Sequence, residues 1–104
     1  MTMTLSEYQV LAARTLAGHG DIDIYVDRLV EEAAEVKKVM RKFKESGRGG
    51  PFPIADLREE LGDVQWTLAA IAQCLHAPLE EIAKDNITKL EKRHPNGFNP
   101  EYKK

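Results

Sequence analysis

One run decides most of what this chain can become. Leu57, Leu61, Val64, Leu68, Ile71 and Leu75 recur at steps of four, three, four, three and four. That spacing follows one face of an α-helix, whereas a strand brings residues to one face every second position. A second run, Leu29, Ala33, Val36, Met40 and Phe43, steps by four, three, four and three. No window alternates convincingly with period two, so the expected class is all-α.

Helix boundaries follow from the punctuation. A first helix is expected after Ser6, through EYQVLAARTLAG to about Gly18, with Leu5, Tyr8, Leu11, Ala12 and Leu16 as its apolar stripe. HGDID breaks the pattern and offers Asp21 or Asp23 as a cap. A second helix is expected from about Ile24 to Glu45, then a loop at 46–53, whose three glycines and two prolines stop any helix. The third begins near Ile54. Ala77-Pro78 opens a fourth, roughly Leu79 to Arg93, with Ile82, Ile87 and Leu90 facing inward. The segment from about residue 94, HPNGFNPEYKK, is an irregular tail. With 104 residues the chain is one domain, 1–104.

Charge and cysteine content exclude some roles. Fifteen Lys and Arg against seventeen Asp and Glu leave a net charge of −2, so no basic field points to nucleic acid. Cys74 is the one cysteine, which rules out an internal disulfide and fits a reducing compartment. The opening residues lack the basic-then-apolar pattern of a signal peptide, and no apolar stretch is long enough to span a bilayer. A cytoplasmic address without membrane attachment is expected.

The two helical runs also carry nearly the same phrase, LVEEAAEVKKVM at 29–40 and LREELGDVQWTL at 57–68. Glu32 and Glu35 stand three and six residues after Leu29; Glu60 and Asp63 stand three and six after Leu57. Each pair therefore lies on the same flank of its apolar stripe. If the stripes pack antiparallel, four carboxylates converge at the edge of the core. That arrangement is unfavourable unless a cation neutralises it. The donors are all oxygen, which suits Mg²⁺ or Mn²⁺ rather than zinc or copper. A di-iron centre needs Glu-x-x-His pairs, and His19, His76 and His94 are scattered. The bland alternative is that each acidic pair is a solvated helix face. Matching register on two helices speaks against it, as do the small residues Ala34 and Gly62 inside the motifs. Gly62 costs about 1 kcal/mol relative to Ala in a helix interior unless something uses the space.

These features resemble a known family. EEAAE on one helix, a Gly/Pro loop, EELGD on the next and the ending N-x-x-K-L-x-x-R-x-P-x-G-F, from Asn86 to Phe98, are similar to the MazG-type all-α nucleoside triphosphate pyrophosphohydrolases. The resemblance covers nearly the whole chain. It implies that Glu32, Glu35, Glu60 and Asp63 hold Mg²⁺, with Mn²⁺ as a substitute. Glu31 matches the acid that activates water in some relatives. Asn86, Lys89 and Arg93 match residues lining the triphosphate end of the pocket. It further implies cleavage of an NTP or dNTP between the α- and β-phosphates, by dimers or tetramers whose sites combine helices from more than one subunit. A non-catalytic helical dimerisation or regulatory nucleotide-binding module on the same scaffold is the alternative.

Other features carry smaller expectations. Trp66 either stacks on a base or packs at a subunit interface, the interface being favoured. The run Lys37, Lys38, Arg41, Lys42 and Lys44 is a solvated face or steers an anion. GRGG lacks the Gly-Lys-Ser/Thr of a P-loop. Cys74 fits a core edge and has no evident histidine partner. Glu59 is assigned to the surface, and Tyr8, Gln9 and Arg14 receive no role.

Overall fold

The computed structural model describes residues 2–16 and 21–101. Four helices follow in order: α1 (Leu5–Ala13), α2 (Ile22–Glu45), α3 (Ile54–Cys74) and α4 (Leu79–Arg93). No strand occurs among the described residues; Pro95 and Gly97 form an isolated bridge in the tail.

Helix α1 starts at Leu5, two residues before the expected start after Ser6. The cap is Thr4, whose hydroxyl accepts from the Glu7 N–H at 3.1 Å while the Glu7 carboxylate accepts from the Thr4 N–H at 3.0 Å. This reciprocal box satisfies two otherwise unpaired donors, and its hydrogen bonds hold the Glu7 carboxyl below its ordinary value. Ser6 has another use: its hydroxyl donates to Glu80 of α4 at 3.0 Å. The helix ends at Ala13, short of the expected extension, and Gly18 lies outside the described residues.

Asp21 caps α2 by accepting from the Asp23 N–H. At the other end Arg48 N–H donates to Phe43 C=O and Gly47 N–H to Lys44 C=O. Gly47 sits at φ +73°, the left-handed position this closure requires. The loop then returns the chain, so α2 and α3 run antiparallel. Phe43 stands edge-on to Phe52, and Tyr25 edge-on to Trp66, at opposite ends of the pair. Helix α1 packs across α3, and α4 packs on α1 and the end of α3. Helix α4 makes no contact with α2.

The core departs from expectation in which residues it uses. On α3 the buried positions are Thr67, Ala69, Ala70 and Ala72. Leu61, Leu68 and Leu75, half of the regular seam, are exposed. The expected inward positions of α4, Ile82, Ile87 and Leu90, are exposed as well, and Leu79 is its buried residue. The reason is that α1 and the α3–α4 turn cover α3 on its small-residue side, so α4 is held by its first turn.

That hold is polar. Gln9, nearly buried, accepts from the Leu79 N–H at 2.6 Å and donates to Ala77 C=O at 3.0 Å. One amide thus serves both backbone groups at the start of α4.

Candidate metal centre

The antiparallel α2–α3 pair brings Glu32, Glu60 and Asp63 together, with one carboxylate oxygen from each lying within 4.8 Å of the others. The spacing explains it. Glu60 and Asp63 are three apart and share a face of α3, and the hairpin sets Glu32 opposite them. Glu35, one turn further along α2, is outside this tightest group but close enough for its charge to act on Glu60.

Burial pushes the Glu60 carboxyl above its ordinary value, and the neighbouring charges of Asp63, Glu35, Glu32 and Glu59 push it the same way. Crowded acids of this kind are a stored electrostatic cost until a cation enters. The sign of the pH effect follows. Below the ordinary glutamate range, folded and unfolded chains both keep the Glu60 proton. Between that range and the raised value only the folded chain keeps it, so stability falls as pH rises through this window. In chelator, Glu60→Gln is therefore expected to melt above the wild type near neutral pH and to lose that advantage below the ordinary glutamate range. Equal melting temperatures near neutral pH would show that the acids do not repel.

The cluster separates two cavities. One, about 430 Å³, is bounded by Glu35, Glu59 and Glu60 at one end and by Phe43 and Pro51 of the loop side at the other. Lys38 and Lys42 line it, which divides the basic run: these two stand beside the acids. Glu59, assigned from sequence to the surface, is exposed and also borders this cavity. The second, about 420 Å³, is lined by Glu32 and Asp63 together with Thr15, Arg28 and Trp66. Glu31 is exposed and borders neither.

The second cavity gives Trp66 partners within its own chain. Its indole N–H donates to the Thr15 hydroxyl at 2.7 Å, its ring meets Tyr25, and the Arg28 guanidinium lies 5.4 Å from the ring centroid. Arg28 also reaches Glu32 at 3.9 Å, a loose contact for a half-exposed arginine. Trp66 therefore packs within its own chain, joining α1, α2 and α3 beside the acids. Arg28 was missed from sequence, although it stands four residues before Glu32. Tyr8 also gains a place: it packs against the core, and burial and the Asp63 charge raise its hydroxyl. Arg14 is the exposed residue after α1.

The three α4 positions lie elsewhere. Asn86 and Lys89 are exposed, and Arg93, half-buried, is the last residue of the helix. Since α4 does not meet α2, one chain does not join these residues to Glu32 and Glu35. The HPNGF segment folds back as a cap: Asn99 N–H donates to His94 Nδ1 at 2.8 Å, Phe98 stacks on the His94 ring, and Gly97 turns at φ +91°.

Comparison with known proteins adds two findings. The family described as MazG nucleotide pyrophosphohydrolase domain matches residues 21–98, which spans α2, α3, α4 and the cap. The chain is also 33% identical over 105 residues to the Gene 37 protein of Mycobacterium phage L5, covering 91% of this chain and 92% of that protein. No solved structure matches. Among the described residues no helix is long and apolar enough to cross a membrane.

Proposed function

This chain belongs to the MazG nucleotide pyrophosphohydrolase family, and we propose that it hydrolyses nucleoside or deoxynucleoside triphosphates between the α- and β-phosphates, with Mg²⁺ and with Mn²⁺ as a substitute. The observation that carries the proposal is the convergence of Glu32, Glu60 and Asp63 from two helices within 4.8 Å. A triphosphate is polyanionic, and an acidic site accepts it only through cations shared by both. The donors fit the ion: they are hard oxygens, and the raised Glu60 carboxyl marks charge awaiting neutralisation.

In this proposal Glu32, Glu60 and Asp63 hold the metal, and Glu35 completes the set from the next turn of α2. When bound, the cation supplies charge neutralisation and a more acidic bound water. Glu31 accepts the proton of the attacking water. The water oxygen bonds to the α-phosphorus and pyrophosphate leaves, giving the monophosphate. Lys38 and Lys42 keep positive charge in the wall beside the acids. Lys89 as a point charge, Arg93 as a fork and Asn86 through its amide N–H bind phosphate oxygens. That α4 does not contact α2 supports a homo-oligomer in which these residues serve the acids of another copy.

The test is a panel of NTPs and dNTPs with Mg²⁺, with products resolved by ion-exchange chromatography. Monophosphate and pyrophosphate are expected. Diphosphate with orthophosphate, or no turnover of any nucleotide, would sink the proposal and favour a non-catalytic helical module.

A further inference from the structure

Arg28 stands in a different setting from the other paired cations of the surface. The pairs Arg41–Glu45 and Lys84–Glu81 lie in the open, with every side chain more than half exposed. Water screens such pairs, and they contribute little. Arg28 instead reaches the carboxylate of Glu32, whose side chain is only 16% exposed. Glu32 is one of the three acids that converge within 4.8 Å. The Arg28 guanidinium also lies 5.4 Å from the Trp66 ring centroid, within the range of a cation–π contact. One positive charge thus spans the acid cluster and the indole beside it.

Two features set what that charge can do. Among the described residues, Arg28 is the one basic residue lining the cavity it shares with Glu32, Asp63, Thr15 and Trp66. On this side of the cluster it offsets the acids alone. Its hold is also weak. The 3.9 Å to Glu32 exceeds hydrogen-bond length, and half of the arginine side chain faces solvent, so it can leave without stranding a buried group. Trp66 is fixed by comparison. Its N–H donates to the Thr15 hydroxyl at 2.7 Å, that hydroxyl donates to Ala12 C=O at 2.7 Å, and Tyr25 meets the ring edge-on at 5.8 Å.

We infer that Arg28 is the exchangeable counter-ion of the acid cluster, partnering Glu32 until a divalent cation takes that carboxylate and then releasing both Glu32 and the Trp66 face. This rests on the metal centre proposed above. Arg28 is a positioning residue, because it acts through Glu32. A guanidinium and a divalent cation both need the Glu32 charge, so each weakens the hold of the other by the same factor. The cluster therefore takes its cation less tightly than its acids alone would. Part of each binding event is the departure of Arg28 from the indole, while the indole itself stays in place.

Mg²⁺ alone is the probe, and Trp66, the one tryptophan of the chain, is the reporter. In the wild type, calorimetry is expected to show Mg²⁺ binding, with a change in Trp66 emission at the same midpoint. Arg28→Gln is expected to bind Mg²⁺ about three- to tenfold more tightly at low ionic strength, with the gap closing in salt. It should also lose the emission change. Arg28→Lys keeps the charge and should bind within about twofold of the wild type. Arg41→Gln removes an arginine from the same helix but not from the cavity, and should not tighten binding. The assignment is overturned if Arg28→Gln binds no more tightly than the wild type, if Arg28→Lys gains as much as Arg28→Gln, or if Arg41→Gln does. An emission change that survives in Arg28→Gln overturns it as well. Each of these results leaves Mg²⁺ binding, and so the metal centre, standing. A wild type that binds no Mg²⁺ removes the metal centre and the counter-ion together.

Discussion

Asp63→Asn is expected to lower Mg²⁺-dependent turnover by about 100-fold or more, given that even residues that only support metal ligands cost 10–100-fold. The fold should not suffer. Asp63 is one of three carboxylates within 4.8 Å, and removing its charge relieves repulsion in the metal-free protein. Activity and melting temperature, measured on one preparation, should therefore move in opposite directions or the second not at all. A variant with wild-type turnover would remove Asp63 from the ligand set. Loss of activity together with a large fall in stability would assign it to the scaffold. Glu35→Gln is expected to behave more mildly, raising the Mg²⁺ needed for half-maximal rate, because Glu35 stands outside the tightest group. Glu31→Gln should reduce kcat without moving that metal midpoint, since its proposed work is proton acceptance.

The second large effect concerns Gln9, which is far from any proposed chemistry. Gln9→Leu keeps the volume but leaves the Leu79 N–H and the Ala77 C=O without their partner. An unsatisfied buried group costs about 1–3 kcal/mol and the part-buried Ala77 C=O adds less, so the loss should be roughly 2–4 kcal/mol. In a domain of this size that lowers the melting temperature by about 10 °C or more. Helix α4 should show it first, as faster amide exchange in 79–93 than in α2. Gln9→Glu should fall between, since its carboxylate still accepts from Leu79 N–H but cannot donate to Ala77. A Gln9→Leu variant as stable as the wild type would show that water replaces the amide and that α4 is held by apolar contacts alone.

Much of this was legible in the residues. Steps of four and three can only repeat on a helix, so four helices and their loops followed from periodicity, glycine and proline. The shared offsets of Glu32, Glu35, Glu60 and Asp63 placed acids on matching flanks, because helical angle depends on residue number and nothing else. Three kinds of fact were not legible. Helix α1 starts at Leu5 rather than after Ser6 because Thr4 and Glu7, three residues apart, close a capping box. Trp66 reads as a base-stacking or interface aromatic, and its neighbours Thr15, Tyr25 and Arg28, distant in the chain, give no local signal. Gln9 gave no signal, since an amide that braces a turn seventy residues away has no local pattern.

The sequence by itself determined the helices, the acid register and, through resemblance, the chemistry to look for. Only the tertiary structure decided which of two apolar sides of α3 becomes the core. Periodicity marks a stripe as apolar but not what covers it. Here alanines and a threonine let α1 come close, and close packing of small residues left the leucines facing out. The tertiary structure likewise decided that Glu32 meets Glu60 and Asp63 while α4 stands apart from α2, because helix partners depend on loop length and on the Gln9 anchor rather than on any helix alone.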